Sequence, residues 1–132
     1  MTYFTEFTPD GTGVLHRGEG IVTGPDLIAA AAEHHRIEER ARKRRYGFVD
    51  FSQVSELRVS AVEVQTIADE NRRTAVFTPN AVVAVIAPLD HAFGVSRMWE
   101  TLMDATNWTT RIFRDRDEAL AWLRKQIPNA VS

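Results

Sequence analysis

Several groups of side chains in this sequence are of types that do chemistry. Ser60, His91 and either Asp50 or Asp90 are the parts of a hydrolytic relay: a hydroxyl nucleophile, an imidazole base and a carboxylate to orient it. Against that reading, the serine is not set in a Gly-x-Ser-x-Gly turn and no oxyanion hole is identifiable. Ser60-Ala61-Val62-Glu63 also has the Ser-x-x-Glu spacing of a helix capping box, which accounts for the hydroxyl without catalysis. Serine hydrolysis therefore ranks last, and an enzyme is not expected. His34, His35, Glu38 and Glu39 are metal ligands by type, but one helix rarely aims three ligands at one point. No second cluster has ligand spacing, so no metal and no other cofactor is expected. His34 falls on an apolar helix face between Ala30 and Ile37 and reads as a semi-buried, hydrogen-bonded histidine. Arg40, Arg42, Lys43, Arg44 and Arg45 form a basic run at the end of the same helix. Cations there complement the negative helix end, and the density of the run also suits an anchor for phosphate, an acidic protein or lipid headgroups. Without interleaved aromatic residues or a nucleic-acid motif, it does not predict binding to DNA or RNA.

The remaining chemistry is apolar recognition. In the segment after Pro88, a turn of about 3.6 residues puts Ala92, Val95, Ser96, Met98, Trp99, Leu102, Met103, Ala105 and Thr106 over roughly half the circumference of a helix. That is broader than a simple surface helix needs. Phe93 falls on the other side with Arg97 and Glu100, next to Gly94, where it is either a pocket wall or a local plug over the Pro88–Asp90 loop. Methionines and a tryptophan on one helix suit an adaptable apolar site. The candidate ligand- or partner-binding residues are accordingly Asp90, His91, Phe93, Gly94, Arg97, Met98 and Trp99. The expected occupant is a small apolar or lipid-like molecule or a protein partner.

The elements that position these residues follow from patterning. TYFTEF and VLHRGEGIV, separated by the turn cluster PDGTG, predict an antiparallel hairpin. Thr23-Gly24-Pro25-Asp26 matches a capping box, and a helix is expected from there to about Arg44, with Leu27, Ala30, Ala31, Ile37 and Ala41 on its apolar face. YGFVDF and AVVAVIAP are short apolar runs rich in aromatic and β-branched residues, as in strands covered on both faces. Between them a helix is expected over Ser60 to about Ala75. A third helix follows from Asp90 to about Ala105, then a strand at Thr110–Phe113, and a last helix opens at Asp115-Arg116-Asp117-Glu118. The order β-β-α-β-α-β-α-β-α predicts an α/β domain spanning residues 1–132, with a mixed, mostly parallel sheet flanked by helices. Ligands in such sheets usually sit beyond the carboxyl ends of the strands, here Asp50 to Ser60 and Pro88 to Gly94.

Bulk properties agree with an ordinary globular chain. The 132 residues are 44% hydrophobic and 26% charged, so one core is expected and disordered classes are excluded. A net charge of -2 gives no global pull toward nucleic acid or anionic lipid, and zero cysteines exclude thiolate chemistry. No apolar run approaches the ~20 residues that span a bilayer, and a cytoplasmic location is the expectation. The edge hairpin and the broad apolar helix are both surfaces on which copies could pair, which makes a homodimer a further expectation.

FVDFSQV before a helix, and APLDHAFGVSRMWETL followed by TRIFRDRDEALAWL, resemble the bacterial SpoIIAA-like group of STAS-type domains. The likeness runs over nearly the whole chain and is most specific in Asp90 through Trp99 and Phe113 through Leu123. It implies a small αβ domain that works by binding, since STAS domains are non-enzymatic regulatory or ligand-sensing modules and related CRAL-TRIO-type folds carry lipids. In the anti-sigma-factor antagonists of that class, a serine in an Asp-Ser-Ser-Gly-like run is phosphorylated. Arg58-Val59-Ser60-Ala61 stands at that place here. Only Ser60 matches, and Arg58 reverses the charge beside it. The resemblance thus implies, as the alternative to ligand binding, a protein–protein switch controlled by phosphorylation at Ser60.

Overall fold

The structure, a computed structural model, describes residues 2–131. Strands β1 (Tyr3–Phe7) and β2 (Gly13–Thr23) form the expected antiparallel hairpin. Then come helices α1 (Gly24–His34) and α2 (Glu38–Lys43), and strand β3 (Tyr46–Arg58). Helix α3 (Ala61–Phe77), strand β4 (Val82–Ile86), helix α4 (Asp90–Met103), strand β5 (Thr109–Phe113) and helix α5 (Arg116–Gln126) complete the chain. The strands form one sheet in the order β1-β2-β3-β4-β5, parallel from β2 onward.

The two faces of this sheet are covered unequally. Phe48, Val82, Ala84, Ile86 and Phe113 pack with Ala119 and Leu123 of α5 on one face. Burying a side chain such as Ile86 or Leu123, both 0% exposed, contributes about 1.5 to 3 kcal/mol. The other face, with Phe51, Val83, Val85 and Ile112, lies under α1, α3 and α4. Because β4 is sandwiched between both layers, all five of its residues are buried, as its unbroken apolar run predicts.

Two expectations about boundaries do not hold. The first helix is not continuous to Arg44: α1 stops at His34, and α2 begins after Ile37. The break turns α2 back so that Ala41 is fully buried and its carbonyl accepts from Thr78 Oγ1 at 2.7 Å. Ile37, assigned to the apolar face, is instead 40% exposed at the break. The second correction concerns the segment Asp50 to Ser60, which is not a carboxyl-end loop, because β3 runs on to Arg58. Pairing along β2 and β3 steps from Arg17–Asp50 to Glu19–Gln53 and from Gly20–Val54 to Ile21–Glu56, so β3 carries an extra residue at each step. These bulges put Phe51, Val54 and Leu57 on the core side at intervals of three, which disguises a strand whose ordinary period is two.

Candidate ligand-binding site

A cavity of about 140 Å³ lies between the sheet and the layer of α1, α3 and α4. Its wall is mainly apolar, from Leu27 and Ala31 of α1, Val64 and Ile67 of α3, Val95 of α4, and Val49, Phe51, Val83 and Val85 of the sheet. Trp99 and Trp108 stand at its edge, each held by its indole N–H, Trp99 to Asn71 Oδ1 at 2.9 Å and Trp108 to the Thr78 carbonyl at 2.7 Å. A space this size is comparable to engineered core cavities that admit a molecule of one aromatic ring.

At the end of the cavity nearest the start of the parallel strands sits a buried polar cluster. His16 faces inward from β2 because it follows Val14 by two residues, and His34 faces inward from the last turn of α1 because it follows Ala31 by three. Arg44, between α2 and β3, reaches back to them. All three are less than a tenth exposed. Arg44 Nη1 lies 2.8 Å from His34 Nδ1 and also donates to the His34 carbonyl at 2.9 Å, satisfying an acceptor left open where α1 ends. His34 Nε2 and His16 Nε2 are 3.0 Å apart, and His16 Nδ1 is 2.9 Å from Thr5 Oγ1.

Elementary donor counting orients this chain. A guanidinium can only donate, so His34 Nδ1 accepts and its proton is on Nε2. His16 Nε2 must then accept, which leaves the His16 proton on Nδ1, donated to Thr5. Both rings are therefore neutral. Burial, followed by the nearby His34 and Arg44, holds His16 well below the usual histidine range, and burial with Arg44 brings His34 down to about 4. The same orientation removes His34 Nε2 as a metal ligand, because that nitrogen carries its proton. Among the described residues no three His, Asp or Glu side chains converge on a point.

The residues singled out in the sequence are distributed differently. Trp99 lines the cavity, with its α4 neighbours Val95 and Ser96. Phe93 is half-buried against the core, with the Arg114 guanidinium 4.2 Å above its ring. Arg114 also bonds the Pro88 carbonyl at 3.0 Å and Asp90 Oδ1 at 2.7 Å, so Phe93, Arg114 and the Pro88–Asp90 loop form one clasp at the carboxyl edge. Gly94 is exposed, and a Cβ there would touch nothing within 4 Å. Arg97 pairs with Glu100 at 3.0 Å, and Met98 is 43% exposed. His91 borders a separate cleft with Ser55–Val59 and Leu89.

Ser60 is the N-cap of α3, and its box is complete. Its hydroxyl accepts from Glu63 N–H at 3.2 Å, while its own N–H donates to Glu63 Oε1 at 2.9 Å. Asp50 pairs with Arg116 at 3.4 Å and Asp90 with Arg114, so the serine, histidine and aspartate of the hypothetical relay do not join. Sequence reasoning missed His16 and treated Arg44 as one of a basic run at a helix end. A signal for His16 existed, since it occupies an inward position of the alternation Val14-x-His16-x-Gly18.

Comparison with solved structures places this architecture. The chain superimposes on the anti-sigma factor antagonist SpoIIAA in its unphosphorylated form, covering 92% of this chain and 97% of that one with a TM-score of 0.52 and 11% identity. A protein of the DUF3478 family with a SpoIIAA-like fold, from Shewanella loihica PV-4, aligns over 92% of this chain and 91% of its own at 17% identity and a TM-score of 0.49. The chain has the SpoIIAA-like fold. No family model and no curated protein matches it. No helix among the described residues is long and apolar enough to cross a membrane.

Proposed function

We propose that this protein is a non-enzymatic binding module of the STAS-like kind that takes a small apolar ligand into the cavity between its sheet and α1, α3 and α4. The reading rests on the cavity itself: well-packed interiors leave few voids larger than a water molecule, and this one is ringed by apolar side chains with two anchored tryptophans at its edge. It keeps α4 as a binding element but uses its inner side, Val95, Ser96 and Trp99. Asp90, His91, Phe93, Gly94, Arg97 and Met98 do not line the cavity; in this reading they form the surface that a protein partner meets. Saturation-transfer NMR with toluene and benzyl alcohol tests it. Transfer to both probes is expected, and Ala31→Leu, which fills the cavity from α1, should abolish it; wild-type protein that takes up neither probe overturns the reading.

A second reading, control by phosphorylation at Ser60, is favoured by the exposed position of that hydroxyl in a fold whose solved example SpoIIAA is described as unphosphorylated. A phosphate there would meet backbone N–H groups at the start of a long helix. Against it, the Ser60 hydroxyl is engaged by Glu63, and Arg58 is engaged by Glu56.

A further inference from the structure

We propose that Arg44 makes the cavity a receptor for a carboxylate: the ligand is a small apolar monocarboxylic acid, its hydrocarbon body among the valines and its anion against the Arg44 guanidinium. This rests on the cavity being a ligand site and specifies the ligand's chemistry.

Arg44 is 6% exposed, lines the cavity and has no carboxylate within ion-pairing distance among the described residues. Its Nη1 is used by His34, and its Nε–H has no partner. Burial, with the like charge of Arg40, brings the Arg44 pKa down to about 10, which leaves the side chain cationic at neutral pH. A buried cation is costly unless paired and hydrogen-bonded.

The surrounding groups cannot supply the missing charge. His34 and His16 are neutral, and their protons are committed along the chain toward Thr5. Of the other polar side chains along the wall, Asn71 is engaged by Trp99, Thr74 by the Glu70 carbonyl, Thr78 by the Ala41 carbonyl and Tyr46 by the Val131 N–H, and the hydroxyls of Tyr3 and Ser96 carry no charge. The unmet requirement is thus one negative charge able to accept from a guanidinium, and a carboxylate matches the planar fork of arginine geometrically. A dianionic phosphate calls for more positive charge than the lone cation of this wall. The volume limits the body to about one aromatic ring or a chain of about six carbons.

Calorimetric titration of the full chain with phenylacetate, hexanoate, phenylacetamide and phenyl phosphate tests this. Phenylacetate and hexanoate are expected to bind at least about tenfold more tightly than the isosteric amide. Arg44→Met should erase that preference, phenylacetate then binding no more tightly than phenylacetamide. Arg44→Lys keeps the charge without the fork and should retain only part of the preference, which protects the test if the methionine variant fails to fold. Equal binding of phenylacetate and phenylacetamide to the wild type overturns the carboxylate assignment and leaves the cavity reading standing. Tighter binding of phenyl phosphate overturns it in favour of a dianion. If none of the probes binds at about 1 mM, the cavity reading itself falls.

Discussion

Two arginines at opposite ends of the sheet each lie over a phenylalanine ring, Arg44 at 4.9 Å from Phe7 and Arg114 at 4.2 Å from Phe93. Their surroundings differ in the ways that matter energetically. Arg114 is half-exposed, bonded to Asp90 and to the Pro88 carbonyl, and in reach of water. Arg44 is buried, bonded only through Nη1 to a neutral imidazole and a helix-end carbonyl, with its buried Nε–H unmatched. The same pair of residue types therefore serves as a local fastening at one end and as an unfinished electrostatic site at the other. Cation–aromatic contact alone does not mark function; the proposed carboxylate site rests instead on the missing counter-charge at buried Arg44.

Acidification should separate the two ends most strongly. His34 has a folded-state pKa near 4, below the unfolded value of about 6.5, so between those values the unfolded chain binds more protons. The stabilisation is complete above about pH 6.5 and is lost as pH falls toward 4, by on the order of 3 kcal/mol. Urea midpoints at pH 7 and pH 4.5 should show that loss, and His34→Gln should flatten the slope; an unchanged slope in the variant would disprove the neutral relay. Next in size is the carboxyl edge at Ser60, where alanine should lower stability by about 1 kcal/mol and aspartate, which also caps, by a few tenths at most. Thermal unfolding of both variants measures this, and a partner lost with aspartate alone would identify Ser60 as a switch. The smallest effect is expected at the clasp, where Arg114→Ala should cost less than about 1 kcal/mol because its ion pair is exposed. A larger loss would mean that Phe93 needs its cover to hold α4 in place.

Local features were legible in the sequence because local physics decides them. The Thr23–Asp26 and Ser60–Glu63 capping boxes both form as their spacing predicts, and the apolar run at Val82–Ile86 is a fully buried strand. The misread features depend on distant partners. Phe51, Val54 and Leu57 recur at three because β2 pairs across two bulges, which no pattern within β3 reveals. The break after His34 leaves a helix-end carbonyl that Arg44 satisfies from ten residues away, and nothing within residues 34–37 announces it. The buried cluster was hidden for the same reason: His16 and His34 are unremarkable singly, and Arg44 stands among four other cations. On the site, the sequence pointed to α4, and its Trp99 does line the cavity, but the side facing the sheet could be told from the outer one only once α1 and α3 were in place.

The order of the strands across the sheet is also their order along the chain. Each strand can therefore dock beside one already made, with no gap held open for a later arrival, which keeps loop closures short and suits assembly during synthesis from the ribosome. Thr5, His16, His34 and Arg44 all lie within the first third of the chain. The polar floor of the cavity can thus be laid before its apolar roof of α3 and α4 has been translated, so the charge that the proposed carboxylate would meet is in place before the walls that would hold its hydrocarbon body.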